Sequence, residues 1–536
     1  MGSASRTWQT ALAAAVVLLA CCGCTGPIQY FRNGFKVGPN YCPPAAPVAE
    51  HWIDAADIRS RPGEDLSRWW TVFNDATLNR LVAMAYGQNL SLREAGFRVL
   101  EARAQRAIAV GELFPQQQDA SGSYSREARS KNAGPFSTSR QFFDQWNLGF
   151  NLAWELDFWG RFRRAVAAAD AQLDASVEDY DAVLVTLLGD VAANYVQIRT
   201  LQERIRWLRQ NVALQQWVKD GVERRLRGGF RANILDLQQA ESLLQQTESE
   251  IPELEIQLRL ASNRLCVLMG MPPADLAKLI GEDRIPTAPA EVVIGIPAEL
   301  LRRRPDVRRA ERLAAAQAEE IGIAEADLYP AISINGTLGY QARNFSELFA
   351  RSSLDGNIGP SFQWNLLNYG RIVNNVRLQD ARFQELVTAY QNTVLAANAE
   401  AENGIVTFLR AQMREEHLDQ SVRAAKEALK TMKLQRDVGG MAVALDFTRY
   451  ALIAQNLVQQ QDSWAQSRGE IAQGLIQVYR ALGGGWEVRL EGGPPMPAEP
   501  PSPPALPEEP SLLPGLVQPL KERTVPPKSG PAAPKP

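Results

Sequence analysis

The chain is expected to be mostly α-helical with a small transmembrane β part. Three observations predict this. The segment Trp146-Asn-Leu-Gly-Phe-Asn-Leu-Ala-Trp-Glu-Leu-Asp-Phe-Trp-Gly-Arg161 recurs in altered form as Gly356-Asn-Ile-Gly-Pro-Ser-Phe-Gln-Trp-Asn-Leu-Leu-Asn-Tyr-Gly-Arg371. Gly149, Trp154, Leu156, Gly160 and Arg161 align without gaps with Gly359, Trp364, Leu366, Gly370 and Arg371. Each copy alternates apolar and polar residues as a strand does, then switches to helical periodicity. Behind each copy runs a stretch of nearly 70 residues without proline, long enough for a helix of ~100 Å.

The 536 residues carry 57 Lys+Arg against 60 Asp+Glu, so the charge balance offers no footprint for nucleic acid. The two histidines, His51 and His417, lie far apart in sequence. That argues against histidine-based catalysis or a His-rich metal site. No P-loop, GxSxG or HExxH pattern is present, so no catalytic residue, metal site or cofactor is expected.

Arg6 followed by the apolar run 11–20 and small residues reads as an export signal. The run is too short for a membrane-spanning helix. No later segment reads as apolar enough for one, so membrane entry is expected through a β-barrel or a lipid. Cys21, Cys22 and Cys24 close the apolar run and resemble a bacterial lipobox. Leu18-Leu-Ala-Cys21 fits the box more closely, whereas Cys24 has the favoured Gly before it. Cys24 and Cys21 are therefore the two lipidation candidates, with an ordinary cleaved signal as the alternative. Lipid chains would anchor the N-terminus at ~0.8 kcal/mol per buried CH₂.

Residues 25–68, rich in Pro and Gly, read as an extended arm. A helical pattern covers Leu78 to Leu113 and stops at Phe114-Pro115. A weak polar strand near Gln117 to Arg126 precedes the clear one, in which Trp146, Leu148, Phe150, Leu152 and Trp154 alternate with Asn147, Gly149, Asn151 and Ala153. In the second pair, Ile332, Ile334, Gly336, Leu338 and Tyr340 share a face, as do Ile358, Pro360, Phe362, Trp364 and Leu366. An ordinary half-buried sheet alternates in this way, and so does a barrel strand with aromatic girdles. Long helices are expected over Arg161–Arg227 and Arg371–Val438. Each is followed by a Gly-Gly turn and a returning helix, Asn233–Met269 and Val443–Leu482, the first interrupted and kinked by Pro252. From about Gly492 the chain is Pro-rich and reads as disordered or polyproline-like.

These features converge on a known pattern. The chain resembles the TolC family of bacterial outer-membrane efflux channels, most closely its lipoprotein members serving RND-type pumps (the NodT/OprM-like subfamily). The resemblance runs from about Cys24 to Leu482. It is carried by Lys36-Val-Gly-Pro-Asn-Tyr41, Trp69-Trp-Thr-Val-Phe-Asn-Asp75, Ile296-Pro-Ala-Glu-Leu-Leu-Arg-Arg-Arg-Pro-Asp306 and the Phe114-Pro115 and Tyr329-Pro330 steps. It implies a homotrimer whose chains together close a β-barrel of about twelve strands, continued by a long periplasmic α-helical barrel. The expected organisation is a signal peptide at 1–24, an arm at 25–68, a first efflux repeat at 69–285, a second at 286–490 and a tail at 491–536.

Strand parity makes Trp146, Phe150, Phe362 and Trp364 candidates for the lipid-facing band, and Asn147, Asn151, Asn335 and Gln363 candidates for the lumen. The turn Gly228-Gly-Phe-Arg-Ala-Asn-Ile-Leu-Asp236 aligns with Val438-Gly-Gly-Met-Ala-Val-Ala-Leu-Asp446. Glycine there can serve a tight helix exit and Asp the next helix start. The resemblance adds that such tips contact an adaptor protein, through Gly228, Gly229, Leu235, Asp236, Gly439, Gly440 and Leu445. It also makes Asp446 and Arg449 the gate. The partners it implies are a periplasmic adaptor (membrane fusion) protein, an inner-membrane RND-type transporter and outer-membrane lipid, with no nucleic acid. Other readings are a type I secretion-like channel for protein export, a structural lipoprotein tether and, most weakly, an enzyme.

Overall fold

The computed structural model describes residues 26–54, 66–128, 142–229, 233–289, 302–439 and 447–494. Its helices are α1 (Pro27–Arg32), α2 (Ala76–Gln88), α3 (Leu90–Gly111), α4 (Arg161–Arg227), α5 (Ile234–Leu268), α6 (Ala277–Ile280), α7 (Pro305–Ala326), α8 (Arg371–Gly439) and α9 (Phe447–Ala481). The strands are β1 (Gln117–Ala128), β2 (Phe142–Leu156), β3 (Ala331–Ala342) and β4 (Leu354–Gln363). They form one antiparallel sheet in the order β1-β2-β3-β4.

Both long helices begin at the repeated Gly-Arg step. Gly160 and Gly370 hold φ of 83° and 78°, a left-handed conformation that glycine adopts without a Cβ penalty. Asp157 caps α4 by accepting from the backbone N–H of Phe162 (2.9 Å) and Arg163 (3.1 Å). A carboxylate there meets the positive end of the helix dipole, and Arg224, Arg225 and Arg227 meet the negative end.

Four features differ from the sequence expectation. The pattern over Leu78–Leu113 is two helices, broken where Asn89 turns extended (φ −63°, ψ 125°). Its Oδ1 accepts from Leu92 N (2.8 Å) and its Nδ2 donates to Leu268 O (2.8 Å). The break thus caps α3 and ties it to the end of α5. Within the arm, Pro27–Arg32 is helical rather than extended, with Pro at its start, where a missing N–H costs nothing. Helix α5 runs through Pro252 without interruption. Finally, α4 contains one 18-residue stretch apolar enough to cross a membrane by composition. It is 67% buried within the protein, because α4 packs against α3, α5, α7 and α9.

The main core gathers Trp69, Trp70 and Phe73, α2 and the middle of α4, from Leu184 to Leu208, with the neighbouring parts of α5, α8 and α9. Trp69 stacks on Tyr479 at 5.5 Å. The arm is sewn to this body by Arg164, fully buried, which donates to Val37 O (2.5 Å), Gly38 O (2.9 Å) and Glu319 Oε2 (2.6 Å). A Cβ on Gly38 would lie 2.6 Å from the Gly322 Cα, so only glycine lets the arm lie this close to α7. A second, smaller apolar cluster (Val218, Ala240, Val422, Leu429, Ala454, Leu457) holds the two hairpins together nearer their tips.

Candidate functional site

The sheet is two-faced, and its register fixes which residues share a face. Trp146 pairs with Tyr124 and Ala342, Phe150 with Ala120 and Leu338, and Phe362 with Ile332. Directly paired residues in a sheet project to the same side. Trp146, Phe150 and Phe362 therefore lie on one apolar face with Leu148, Leu152, Ile334 and Ile358. Phe362 and Ile358 are 75% and 76% exposed, a sheet face that no part of the described chain covers.

The opposite face is a hydrogen-bonded polar lattice. Asn147 donates to Ser123 Oγ (3.3 Å), Asn151 to Asp119 Oδ2 (2.8 Å) and Ser121 Oγ (3.3 Å), and Asn335 to Ser361 Oγ (2.7 Å). Gln363 pairs with Ala331 on this face. Among the described strand residues its charged members are Asp119, Glu127, Glu155 and Asp355, all acidic. Sequence reasoning did not single out these carboxylates, although the alternation that selects the asparagines selects them as well.

Aromatic residues mark both ends of the apolar face. At the loop end Trp146 lies against Tyr124 (4.4 Å) and Phe345 (5.0 Å). At the helix end the repeat-equivalent tryptophans act alike: Trp154 Nε1 donates to Leu113 O (3.2 Å) and Trp364 Nε1 to Leu328 O (3.0 Å). Trp364 sits one residue past β4, and this bond ties strand to helix. The eight steps from Trp146 to Trp154 span roughly 26 Å along the strand at ~3.3 Å each, or about 20 Å of height at the ~40° tilt of a barrel strand, most of the ~25 Å apolar band of an outer membrane.

Where sheet meets helices, the polar face opens into a cleft of about 720 Å³ lined by Glu155, Asp327 and both repeat-equivalent arginines, Arg161 and Arg371. Arg161 lies 3.6 Å from Glu155 and 3.7 Å from Asp327. The neighbouring helices are locked by buried charge. Arg304 donates to Ala481 O (2.6 Å), Asp306 (2.8 Å) and Glu400 (2.9 Å), clamping α7, α8 and α9. Arg489 grips the buried Asp181 carboxylate with two bonds (2.6 and 2.8 Å), and Arg308 binds Glu178. Burial lifts the Asp181 and Glu178 carboxyls above their ordinary range, with Arg489 and Arg308 opposing.

At the first helical tip, Gly228 ends α4 with its N–H on Arg224 O (3.0 Å), and Gly229 takes φ 71°. Asn233 Oδ1 accepts from Leu235 N (3.1 Å), and Asp236 Oδ2 from Asn233 N (3.4 Å), a reciprocal start for α5. Leu235 is half exposed. At the second tip, Gly439 ends α8 and Arg449, exposed, lies in the first turn of α9. Gly440, Leu445 and Asp446 lie outside the described residues, as do Cys21 and Cys24. Among the described residues no cluster of His, Cys, Asp or Glu could hold a metal ion.

A sheet with one apolar and one hydrogen-bonded polar face, continued by helices about 100 Å long, defines the wall of a membrane-spanning conduit. A model of the outer membrane efflux protein family matches residues 81–271 and 296–484, one stretch in each repeat, and the chain belongs to that family. Nodulation protein T of Rhizobium leguminosarum bv. viciae is 31% identical over 454 residues, 84% of this chain and 90% of that protein. The pyoverdine export outer membrane protein OpmQ of Pseudomonas putida is 30% identical over 432 residues, 78% of this chain and 88% of that protein. The structure of the outer-membrane channel OprN matches with a TM-score of 0.79 at 29% identity, covering 84% of this chain and 99% of OprN. The chain is thus an outer-membrane efflux channel protein, its sheet in the membrane and its long helices extending into the periplasm.

Proposed function

We propose that the chain works as a homotrimer forming a passive duct for small molecules, docked through its helical tips to a periplasmic adaptor and an inner-membrane RND-type transporter. The observation that carries this reading is the two-faced sheet joined without a break to the helical hairpins. Such a wall closes into a pore only when several copies join, since four strands leave two edges that lipid cannot satisfy. The duct needs no catalytic residue or cofactor, because the transporter supplies the energy. The two efflux repeats, 69–285 and 286–490, each supply one strand pair and one hairpin, followed by a Pro-rich tail at 491–536. A lipid on Cys24 or Cys21, after cleavage of the signal immediately before the modified cysteine, adds a second anchor. The mass of the mature N-terminal peptide identifies the modified cysteine, and an unmodified peptide contradicts the anchor.

In this reading the gate is the second tip. Three copies of Asp446 around a narrow axis repel one another unless Arg449 pairs with them, and opening breaks those pairs as the hairpins splay. Gly228, Gly229, Leu235, Asp236, Gly439, Gly440 and Leu445 present the tip surface to the adaptor. The test is conductance in planar bilayers, comparing the wild type with Asp446→Ala/Arg449→Ala. Small, rarely open wild-type currents and large, steady mutant currents support the gate. Equal large currents move the gate elsewhere. No current from inserted protein of either kind ends the duct reading in favour of a structural tether.

A further inference from the structure

At the helix end of the first strand pair the arm builds a bare aromatic platform. Helix α1 sets Ile28 and Phe31 three residues apart, so they share a face. They are 72% and 63% exposed, and Phe35 and Phe158 are half exposed. The platform is firmly held. Tyr30 sits at its centre, with its Oη donating to Phe158 O (2.7 Å). Its ring lies 5.6 Å from that of Phe35, 6.3 Å from Phe158 and 5.7 Å from Trp159. Phe31 meets Phe35 edge-on at 5.2 Å. Arg163 donates to Gly34 O (2.8 Å) and Phe35 O (2.7 Å), and Val37 N donates to Trp159 O (3.0 Å). Phe35 takes φ 61°, a left-handed conformation that is costly for a bulky residue. These contacts hold large apolar side chains outward, against the hydrophobic effect.

The platform lies level with the membrane surface. Phe158 stands two residues past the end of β2, at most about 7 Å further along the chain. Trp154 and Trp364 mark the same edge of the apolar band, and a headgroup layer about 5–8 Å thick begins there. The cleft on the polar face takes Trp159 into its lining but neither Phe158 nor any residue of the arm, which leaves the platform off the luminal side. Cys24 precedes Pro27 by three residues, a reach of at most about 11 Å, so acyl chains on it would enter the leaflet beside α1. Arg32, exposed at the end of α1, offers a guanidinium suited to a phosphodiester. The second repeat lacks the feature: the gap-free alignment sets Asn368 at the place of Phe158, so each chain carries one platform.

We propose that Ile28, Phe31, Phe35 and Phe158 seat in the phospholipid headgroup layer of the periplasmic leaflet, with Arg32 on a lipid phosphate. This contact is separate from the apolar band of the sheet and from the acyl anchor, and it fixes how deep the sheet sits. It rests on the outer-membrane placement of the sheet and on neither the gate nor the number of copies. Two observations carry it: apolar side chains held outward by a strained, hydrogen-bonded arm, and their continuity with the lipid-facing edge of β2.

The test is photo-cross-linking of the purified full chain in vesicles of radiophosphorus-labelled phosphatidylethanolamine and phosphatidylglycerol. The photoreactive residue p-benzoylphenylalanine replaces Phe31, or Ile28 as a second variant. The same residue at Ile358, on the apolar sheet face, reports insertion, and at Ile256, exposed on α5 among the periplasmic helices, it gives the background. Illumination should label the Phe31 and Ile28 variants at least tenfold above the Ile256 variant. The label should persist when a cleaved, non-lipoprotein signal replaces residues 1–24. Label at Ile358 with none above background at Phe31 and Ile28 overturns the platform. An unlabelled two-chain band from Phe31 assigns the surface to a second copy and overturns the lipid contact. Label lost only with the replaced signal makes the acyl chains the cause and overturns the separate contact. No label at any of the three sites overturns the membrane placement beneath it.

Discussion

Arg304→Ala should cost about 1–5 kcal/mol, the largest part of it from one lost bond. Arg304 is 7% exposed and donates to Ala481 O at the end of α9, where the helix has no further N–H to satisfy that carbonyl. Leaving a buried acceptor without a partner costs about 1–3 kcal/mol. The ion pairs add less. The Asp306 side chain is 41% exposed and that of Glu400 27%, so water screens both, at about 0–1 kcal/mol each. Glu400 also keeps Arg480 at 3.4 Å. Arg304→Lys keeps the charge but loses the planar fork that reaches three partners, and should cost about half as much. Asp306→Asn should cost under about 1 kcal/mol. Urea unfolding of detergent-solubilised protein, followed by the fluorescence of the nearby tryptophans, gives the order Ala > Lys > Asp306→Asn. An Arg304→Ala midpoint equal to wild type, or one no worse than Asp306→Asn, would refute the carbonyl-based reasoning.

Three further predictions concern charge. Ile358→Arg places a cation on the apolar face and should lower outer-membrane assembly by ~2–4 kcal/mol near mid-bilayer, whereas Asn357→Arg, one residue away on the polar face, should assemble normally; trimer yield from membranes decides. The acidic polar face should make the pore cation-preferring, with Asp119→Asn and Asp355→Asn each lowering the preference; an unchanged reversal potential in a salt gradient contradicts the lumen assignment. Asp181 has a folded-state pKa above its ordinary value because of burial, so the folded chain holds this proton more tightly than the unfolded one. Its contribution to stability is full below about pH 4 and is lost as pH rises through the raised pKa. Asp181→Asn should flatten the melting temperature over that window, and an unaltered slope assigns the pH dependence to other groups.

Much of the architecture was legible because its signals are local. The Gly-Arg step marks the first residue of both long helices, and alternation alone sorts Trp146, Phe150 and Phe362 from Asn147, Asn151 and Asn335. What escaped the sequence depends on distant partners. Asn89 continues the helical periodicity of its neighbours, and its break is fixed by Leu268, far along the chain. Arg304 stood out only as part of a family signature. Its role as a clamp depends on Glu400 and Ala481, 96 and 177 residues away. Pro252 shows the reverse case, a strong local helix breaker overruled within α5, which packs along α4.

The most direct test of the central claim is thiol modification of single channels in planar bilayers. It compares Asn151→Cys with Phe150→Cys, neighbours on opposite faces of β2, in a Cys42→Ser/Cys266→Ser, Asp446→Ala/Arg449→Ala background. A charged, water-soluble methanethiosulfonate should step the conductance down in three increments for Asn151→Cys and leave Phe150→Cys unchanged. Block of Phe150→Cys with Asn151→Cys unaffected would reverse the faces and contradict the account.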